Sequence, residues 1–110
     1  MAAQMTKAAM MQTYLKQMQK LGVKDFSAAK FGAIVDNLGA ANYRADAQLV
    51  AAKDEMELEG VYTRFVADEL GMNDKVAGMK LVRKVATKMA KEKRKYRAVF
   101  YYLLSQAAGK

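Results

Sequence analysis

The sequence predicts an all-α protein, a single compact domain formed as a bundle of four to five helices. Apolar residues recur along most of the chain at the three- and four-residue spacing of a helix. The sequence has no Asn-Gly or Asp-Gly turn and no sustained alternation of apolar and polar residues, so no strand is predicted. The chain has no proline, and four of its seven glycines fall where periodic segments end. With 110 residues it is long enough for one domain, predicted over residues 1–110, and too short for two.

The first predicted helix runs from Ala2 to Leu21 and is rich in Ala, Met, Gln and Lys, which are good helix formers. Its apolar face is predicted to hold Met11, Leu15 and Met18. Because this segment has few large apolar anchors, we expect residues 1–21 either to dock loosely on the domain or to mediate self-association through methionines.

The second predicted helix begins after Asp25 or Ser27, since either side chain is a suitable N-cap. It ends at Gly39, and residues 40–53 are predicted to form a loop with one short helical turn. Its apolar residues follow the spacing i, i+3, i+4, i+7 and are Phe31, Ile34, Val35 and Leu38.

The next helix has the clearest start, because Asp54 and Glu57 form a D-x-x-E pattern like a capping box. Glu55 adds negative charge to the first turn, where the helix dipole favours it. The helix is predicted to end before Gly71. Its apolar stripe comprises Leu58, Val61, Tyr62, Phe65, Val66 and Leu70.

Asn73 or Asp74 caps the following helix, and the last helix ends near Gly109. Residues 90–95 contain no glycine, proline or capping side chain, so one helix over 75–107 is physically allowed. It would be about 33 residues long, which is unusual for a small domain, and we therefore favour a break between Lys91 and Arg94. The predicted core residues of the two helices are Met79, Val82, Val85, Ala86 and Met89, then Tyr96, Val99, Phe100, Leu103 and Leu104.

The composition excludes several classes of chemistry. The sequence has no cysteine and no histidine, so it contains no nitrogen or sulfur zinc site, catalytic triad or Cys-His dyad. Serine occurs only at Ser27 and Ser105, and no phosphate-binding glycine motif is present. We predict no enzymatic activity, no cofactor and no metal. No stretch approaches the ~20 apolar residues of a membrane span, and a cysteine-free chain is compatible with the cytoplasm, where we expect the protein.

Charge is segregated along the chain, which carries a formal net charge of +8. Residues 1–35 hold five bases and one acid, whereas residues 36–69 hold eight acids and three bases. Residues 74–97 hold ten bases and two acids, a net charge of +8 in 24 positions. The overall excess therefore conceals an acidic centre and a strongly basic end.

The basic end is predicted to present one cationic face, opposite an apolar face that looks like core. Its main interpretation is an interface for an anionic partner, nucleic acid bound through phosphates without sequence specificity. An acidic membrane surface or an acidic protein is a second interpretation. A third is a solvated surface that the acidic helix partly neutralises. The candidate residues are Lys80, Arg83, Lys84, Lys88, Lys91, Arg94, Lys95 and Arg97.

Aromatic residues follow the basic run and have two interpretations. Beside Arg94 and Arg97 they could stack on nucleic-acid bases, but their helical spacing favours a place in the core. Tyr101 and Tyr102 are adjacent and cannot both face the same core, so we expect at least one of their hydroxyl groups at or near the surface. The other aromatic residues of this group are Tyr96 and Phe100.

Two segments resemble blocks of a family of short bacterial proteins. One includes Leu38-Gly39, the run Tyr43–Val50 and Leu70-Gly71, and the other is the closing block Lys95–Leu104, which reads KYRAVFYYLL. The similarity covers roughly residues 20 to 110 in the same order. The family is a domain of unknown function, so the resemblance implies an all-helical bacterial protein and supplies no activity or site. Family members tend to have Gly, Ser and Asn before the closing block, where this chain has Ala90–Arg94.

Overall fold

In a computed structural model that describes residues 6–110, the protein is a bundle of α-helices with no strand in that part of the chain. The predicted all-α fold is confirmed. Five of the six helices have seven or more residues, and a 3₁₀ turn, Gly39–Tyr43, follows the second. A π-helical turn, Tyr62–Ala67, continues the fourth. The helices are α1 Lys7–Lys20, α2 Ala28–Leu38, α3 Ala45–Gln48, α4 Glu55–Val61, α5 Lys75–Lys88 and α6 Arg97–Ala107.

Helix α6 is the centre of the bundle, because every residue from 97 to 105 is buried. It packs against α1, α2, α3, α5 and the π-helical turn. Tyr101 stacks on Phe65 with ring centroids 4.2 Å apart, while Tyr102 makes an edge contact with Phe31 at 5.7 Å. Both tyrosines are thus buried, at 6% and 2% exposure, since α6 has core on two sides. The expectation concerns their hydroxyl groups, and Tyr102 lines a groove at the surface.

Helix α1 docks through a stripe shifted from the predicted one. Met10, Tyr14 and Met18 are buried, whereas Leu15 is 36% exposed and Met11 is partly buried. Tyr14 fixes this rotation, because its ring contacts the rings of Phe31 and Tyr96 and its hydroxyl donates to Asn42 at 2.9 Å. The predicted start of this helix at Ala2 lies outside the described residues.

The helix starts follow their capping side chains. Ser27, and not Asp25, caps α2 by accepting from the Lys30 amide, and Asp74, and not Asn73, caps α5. Asp54 caps α4 as predicted. Glu57 does not complete a capping box with Asp54, because its carboxylate binds Arg97 instead.

The predicted break before the last helix is confirmed. Helix α5 ends at Lys88 and α6 begins at Arg97, so residues 89–96 form a connector, called here the basic connector. Helix α2 also ends as predicted, since Gly39 has a φ of +51° that other residues adopt at a cost.

Candidate anion-binding surface

The first part of the predicted basic face lies on α5. Lys80, Lys84 and Lys88 are spaced by four residues and all three are exposed. Opposite them Val82 and Val85 belong to the core. Helix α5 is therefore amphipathic in the predicted sense, with cations on its solvent side.

The acidic helix α4 covers only part of this face. Both guanidinium nitrogens of Arg83 donate to the carboxylate of Glu55, and Lys75 lies 3.7 Å from Glu59. Its hydrogen bond to Arg83 lowers the pKa of Glu55, and the same contact raises the pKa of Arg83. Arg83 is thus engaged by an acid, whereas Lys84 lies beyond the reach of these pairs.

Arg97 is not part of the exposed face. It is 8% exposed, and its guanidinium donates to the carbonyls of Ala47 and Leu49 and to the carboxylate of Glu57. Burial alone would lower the pKa of Arg97, but its contacts with Tyr101 and Glu57 outweigh burial and raise that pKa. Because its N–H groups are used in these contacts, Arg97 links α6 to α4 and to the residues that precede α4.

The remaining predicted residues lie on the basic connector, which is held in place from two sides. On one side the Val50 amide donates to the Lys95 carbonyl at 2.8 Å, next to an isolated bridge between Leu49 and Tyr96. On the other side the buried Gln17 amide donates to the Arg94 carbonyl at 2.5 Å. The Gln17 carbonyl also accepts from the Tyr96 amide at 3.4 Å. The connector backbone is therefore fixed although it belongs to no helix.

The basic connector forms a ridge between two grooves. One groove, of about 880 Å³, lies toward the segment Val50–Asp54, and the other, of about 430 Å³, lies toward α1. Lys91, Glu92 and Lys93 line both grooves, which is why the connector must run between them.

Basic side chains dominate the two grooves. Four line the first and five line the second, with two shared, and only Glu92 and Asp54 oppose them. Glu92 lies 3.4 Å from Lys20 and Asp54 is used as the cap of α4. We call this set the connector surface: Lys16, Lys20, Lys53, Lys91, Lys93, Arg94 and Lys95.

Sequence reasoning found three members of the connector surface and missed four. Lys91, Arg94 and Lys95 were candidates, although Lys95 is half-buried with its ammonium group on the Glu92 carbonyl. Lys93 was not among the candidates, and it lines both grooves because residues 89–96 are not helical. The missed residues of α1 and of the segment before α4 carried no signal beyond their charge: Lys16, Lys20 and Lys53.

The aromatic residues do not contribute to this surface. Tyr96 is 9% exposed and Phe100 is fully buried, in agreement with their interpretation as core. Tyr101 and Tyr102 are buried as well, so none of the four offers an exposed ring on which a base could stack. The groups that the surface exposes for contact are therefore ammonium and guanidinium groups.

Residues 6–110 contain neither a metal-binding cluster nor a membrane-spanning helix. No group of three or more acidic side chains is placed to hold a metal ion in this range. Among the same residues, no helix has both the length and the apolar character required to cross a membrane.

No curated protein is significantly similar to the chain. The model of a family described as "Protein of unknown function (DUF2853)" matches residues 13–110, which include all of the connector surface and most of α1. Because the match spans most of the sequence, the chain belongs to this family of proteins of unknown function.

Proposed function

We propose that the protein is a non-enzymatic binding module that contacts an anionic partner, nucleic acid without sequence specificity, through the connector surface and the exposed lysines of α5. One observation carries this proposal: seven basic side chains from three separate parts of the chain line the two grooves beside the connector, against two acids. Each Lys or Arg that meets a phosphate releases condensed counterions, which favours binding at low salt.

The chemistry of the surface favours phosphate contacts over base recognition. Sequence reading in DNA relies mainly on side chains such as Asn, Gln and bidentate Arg that reach base edges. The one glutamine in the grooves, Gln17, uses its amide to hold the connector. Contacts limited to phosphates position a nucleic acid but carry no sequence information.

The fixed connector also favours this role. Ordering a flexible segment on binding costs free energy, and that cost is absent when the backbone is already held. Hydrogen bonds from Val50 and to Arg94 hold the connector in the free protein. The ridge therefore presents Lys91, Lys93 and Arg94 from a preformed backbone.

The same proposal places the protein in the bacterial cytoplasm. The resemblance of its closing block is to bacterial proteins, and the sequence contains no cysteine for disulfides of an oxidising compartment. The alternative function, self-association or protein docking through α1, has less support, because Met10 and Met18 are occupied in the core.

Fluorescence anisotropy with generic single- and double-stranded oligonucleotides at two salt concentrations tests the proposal. We expect micromolar binding at about 50 mM salt that weakens steeply as salt is added. The triple variant Lys91→Gln, Lys93→Gln, Arg94→Gln should lower the affinity at least ~10-fold. The slope of log affinity against log salt should also become shallower, by the amount that two to three lost phosphate contacts give.

A matched control separates local charge from total charge. The triple variant Lys7→Gln, Arg44→Gln, Arg64→Gln removes the same number of exposed bases from positions outside the connector surface and outside α5. It should keep most of the affinity. Equal losses in the two triple variants would show that only net charge matters, and no binding by the wild-type protein at about 50 mM salt would contradict the proposal.

A further inference from the structure

A third groove, of about 540 Å³, lies along the C-terminal half of α6 and is separate from the two connector grooves. Its walls come from the segment between α1 and α2, from the start of α2 and from the last turn of α6. We propose that this groove binds the phosphate group of a small phosphorylated molecule. The proposal goes beyond the nucleic-acid interface and does not depend on it.

Two buried hydroxyl groups in this groove have unused hydrogen-bonding capacity. Tyr102, 2% exposed, accepts at its hydroxyl oxygen from the Ser27 amide at 2.7 Å, and its own proton has no acceptor within residues 6–110. Ser105 is 6% exposed, and none of the side-chain hydrogen bonds within the same residues involves its hydroxyl group.

Both side chains line the same groove. In the described part of the chain, no buried side-chain oxygen or nitrogen lacks a hydrogen-bond partner. The Ser105 hydroxyl must therefore be open to the groove that it lines. Two buried side chains thus offer O–H donors toward one space, an arrangement that suits an acceptor-rich ligand such as phosphate.

The charges around the groove favour an anion. Lys24, Lys30, Lys88 and Lys110 line it, and Asp25 is the one acid among its lining residues. The N-terminus of α2 points the positive end of its dipole to the same region through Ser27. Hydroxyl donors at the floor and ammonium groups at the rim together match a phosphate dianion.

The size of the groove indicates a small ligand. Sites for small molecules commonly measure about 300 to 1,000 Å³, and this groove falls in that range. Only Lys88 is shared with the predicted basic face.

Asp25 lines the groove and has an unusual backbone conformation. Its φ of +54° is in the left-handed region, which only Gly, Asn and Asp visit readily, and Gly22 nearby has a φ of +67°. Strained backbone of this kind is concentrated at functional sites. Because the carboxylate repels a phosphate while Asn tolerates the same backbone, Asp25→Asn is a variant expected to bind phosphate more tightly.

The proposal is tested by ¹H–¹⁵N NMR titration of the full chain with inorganic phosphate, with AMP and with adenosine as the uncharged match of AMP. Phosphate and AMP should produce saturable shifts at the amides of Ser27, Lys30 and Ser105, and adenosine should not. Ser105→Ala should weaken AMP binding about tenfold, because a hydrogen bond to a charged group is lost. Asp25→Asn should strengthen binding several-fold.

Several outcomes would overturn this assignment. One is the absence of saturable shifts up to about 20 mM phosphate, a concentration that would saturate a site with a millimolar dissociation constant. Another is that the wild type and Ser105→Ala bind AMP with equal affinity. If the groove binds inorganic phosphate but not AMP, the proposal that it binds a small phosphorylated molecule is wrong. The connector variant of the previous section should bind AMP like the wild type, and Ser105→Ala should bind oligonucleotides like the wild type. Each proposal can therefore fail without the other.

Discussion

Arg97 and Glu57 form an ion pair inside the bundle, with a nitrogen–oxygen distance of 2.5 Å and side-chain exposures of only 10% and 20%. The same guanidinium also donates to the carbonyls of Ala47 and Leu49. One side chain thereby joins the start of α6 to α4, to α3 and to the loop that follows α3. The pair fixes where the basic connector enters α6.

Replacing Arg97 should strongly destabilise the fold. Arg97→Met leaves the Glu57 carboxylate and two backbone carbonyls without their donor, and breaking a largely buried pair costs about 3 to 5 kcal/mol. Arg97→Lys should rescue little, because an ammonium group lacks the fork that reaches three acceptors. Urea unfolding measures both variants. A loss below ~1 kcal/mol for Arg97→Met would mean that water replaces these contacts at little cost.

Gly78 allows α5 to pack closely on the π-helical turn. A Cβ atom built at this position would lie 2.2 Å from a ring carbon of Tyr62, which is itself buried. Gly78→Ala should therefore destabilise the protein by about 1 to 3 kcal/mol despite the better helix propensity of alanine.

Gly32→Ala is the matched control for this prediction. Gly32 also lies inside a helix, α2, but a Cβ atom there would have no neighbour within 4 Å. Its replacement should stabilise the protein by about 0.5 to 1 kcal/mol. The melting temperature should fall in Gly78→Ala and rise in Gly32→Ala. If both variants shift it in the same direction, close packing of Gly78 against Tyr62 does not explain the effect.

The sequence predicted what depends on local pattern. The ends of α2, the Asp54 cap and the core stripe of α5 follow from spacing and capping chemistry, and the structure has them there. The role of Glu57 could not be predicted, because its partner Arg97 is 40 residues away. Nothing local indicated the π-helical turn either.

The basic face shows the same limit. The predicted cationic face assumed helical spacing through to Lys95 and so grouped Lys91 and Arg94 with the lysines of α5. Helix α5 ends at Lys88, so helical spacing does not apply beyond that residue. The connector instead brings Lys93, which was not among the candidates, beside residues from α1 and from the loop before α4. Such a surface exists only through tertiary contacts, so the charge count predicted its sign but not its members.

Tyr14 should make stability depend on alkaline pH. Burial raises the pKa of Tyr14 from 10.0 to about 12, because the phenolate form is disfavoured in the core. Its contribution is complete below pH 10 and is lost as the pH rises toward 12, since the unfolded chain releases this proton first. The loss amounts to about 2 to 3 kcal/mol.

Tyr14→Phe provides the comparison. At neutral pH the variant should be less stable, because Asn42 loses its hydrogen-bond donor. The difference in unfolding free energy between wild type and variant should shrink from pH 10 to 12. Absorbance titration should also show one high-pH tyrosine fewer in the variant, and an unchanged curve would contradict the assignment.

Gln17 should control how well the basic connector binds, without changing its charge. Its amide holds the connector backbone at Arg94 and Tyr96, so Gln17→Leu should free this segment and cost about 1 to 3 kcal/mol of stability. Hydrogen exchange at the Tyr96 amide should then become faster. Oligonucleotide affinity should fall several-fold, because the freed segment must be ordered on binding. The control is Gln12→Leu, because Gln12 is exposed. It should change neither the exchange of the Tyr96 amide nor the oligonucleotide affinity. If Gln17→Leu speeds exchange but leaves the affinity unchanged, the connector does not need to be fixed to bind its partner.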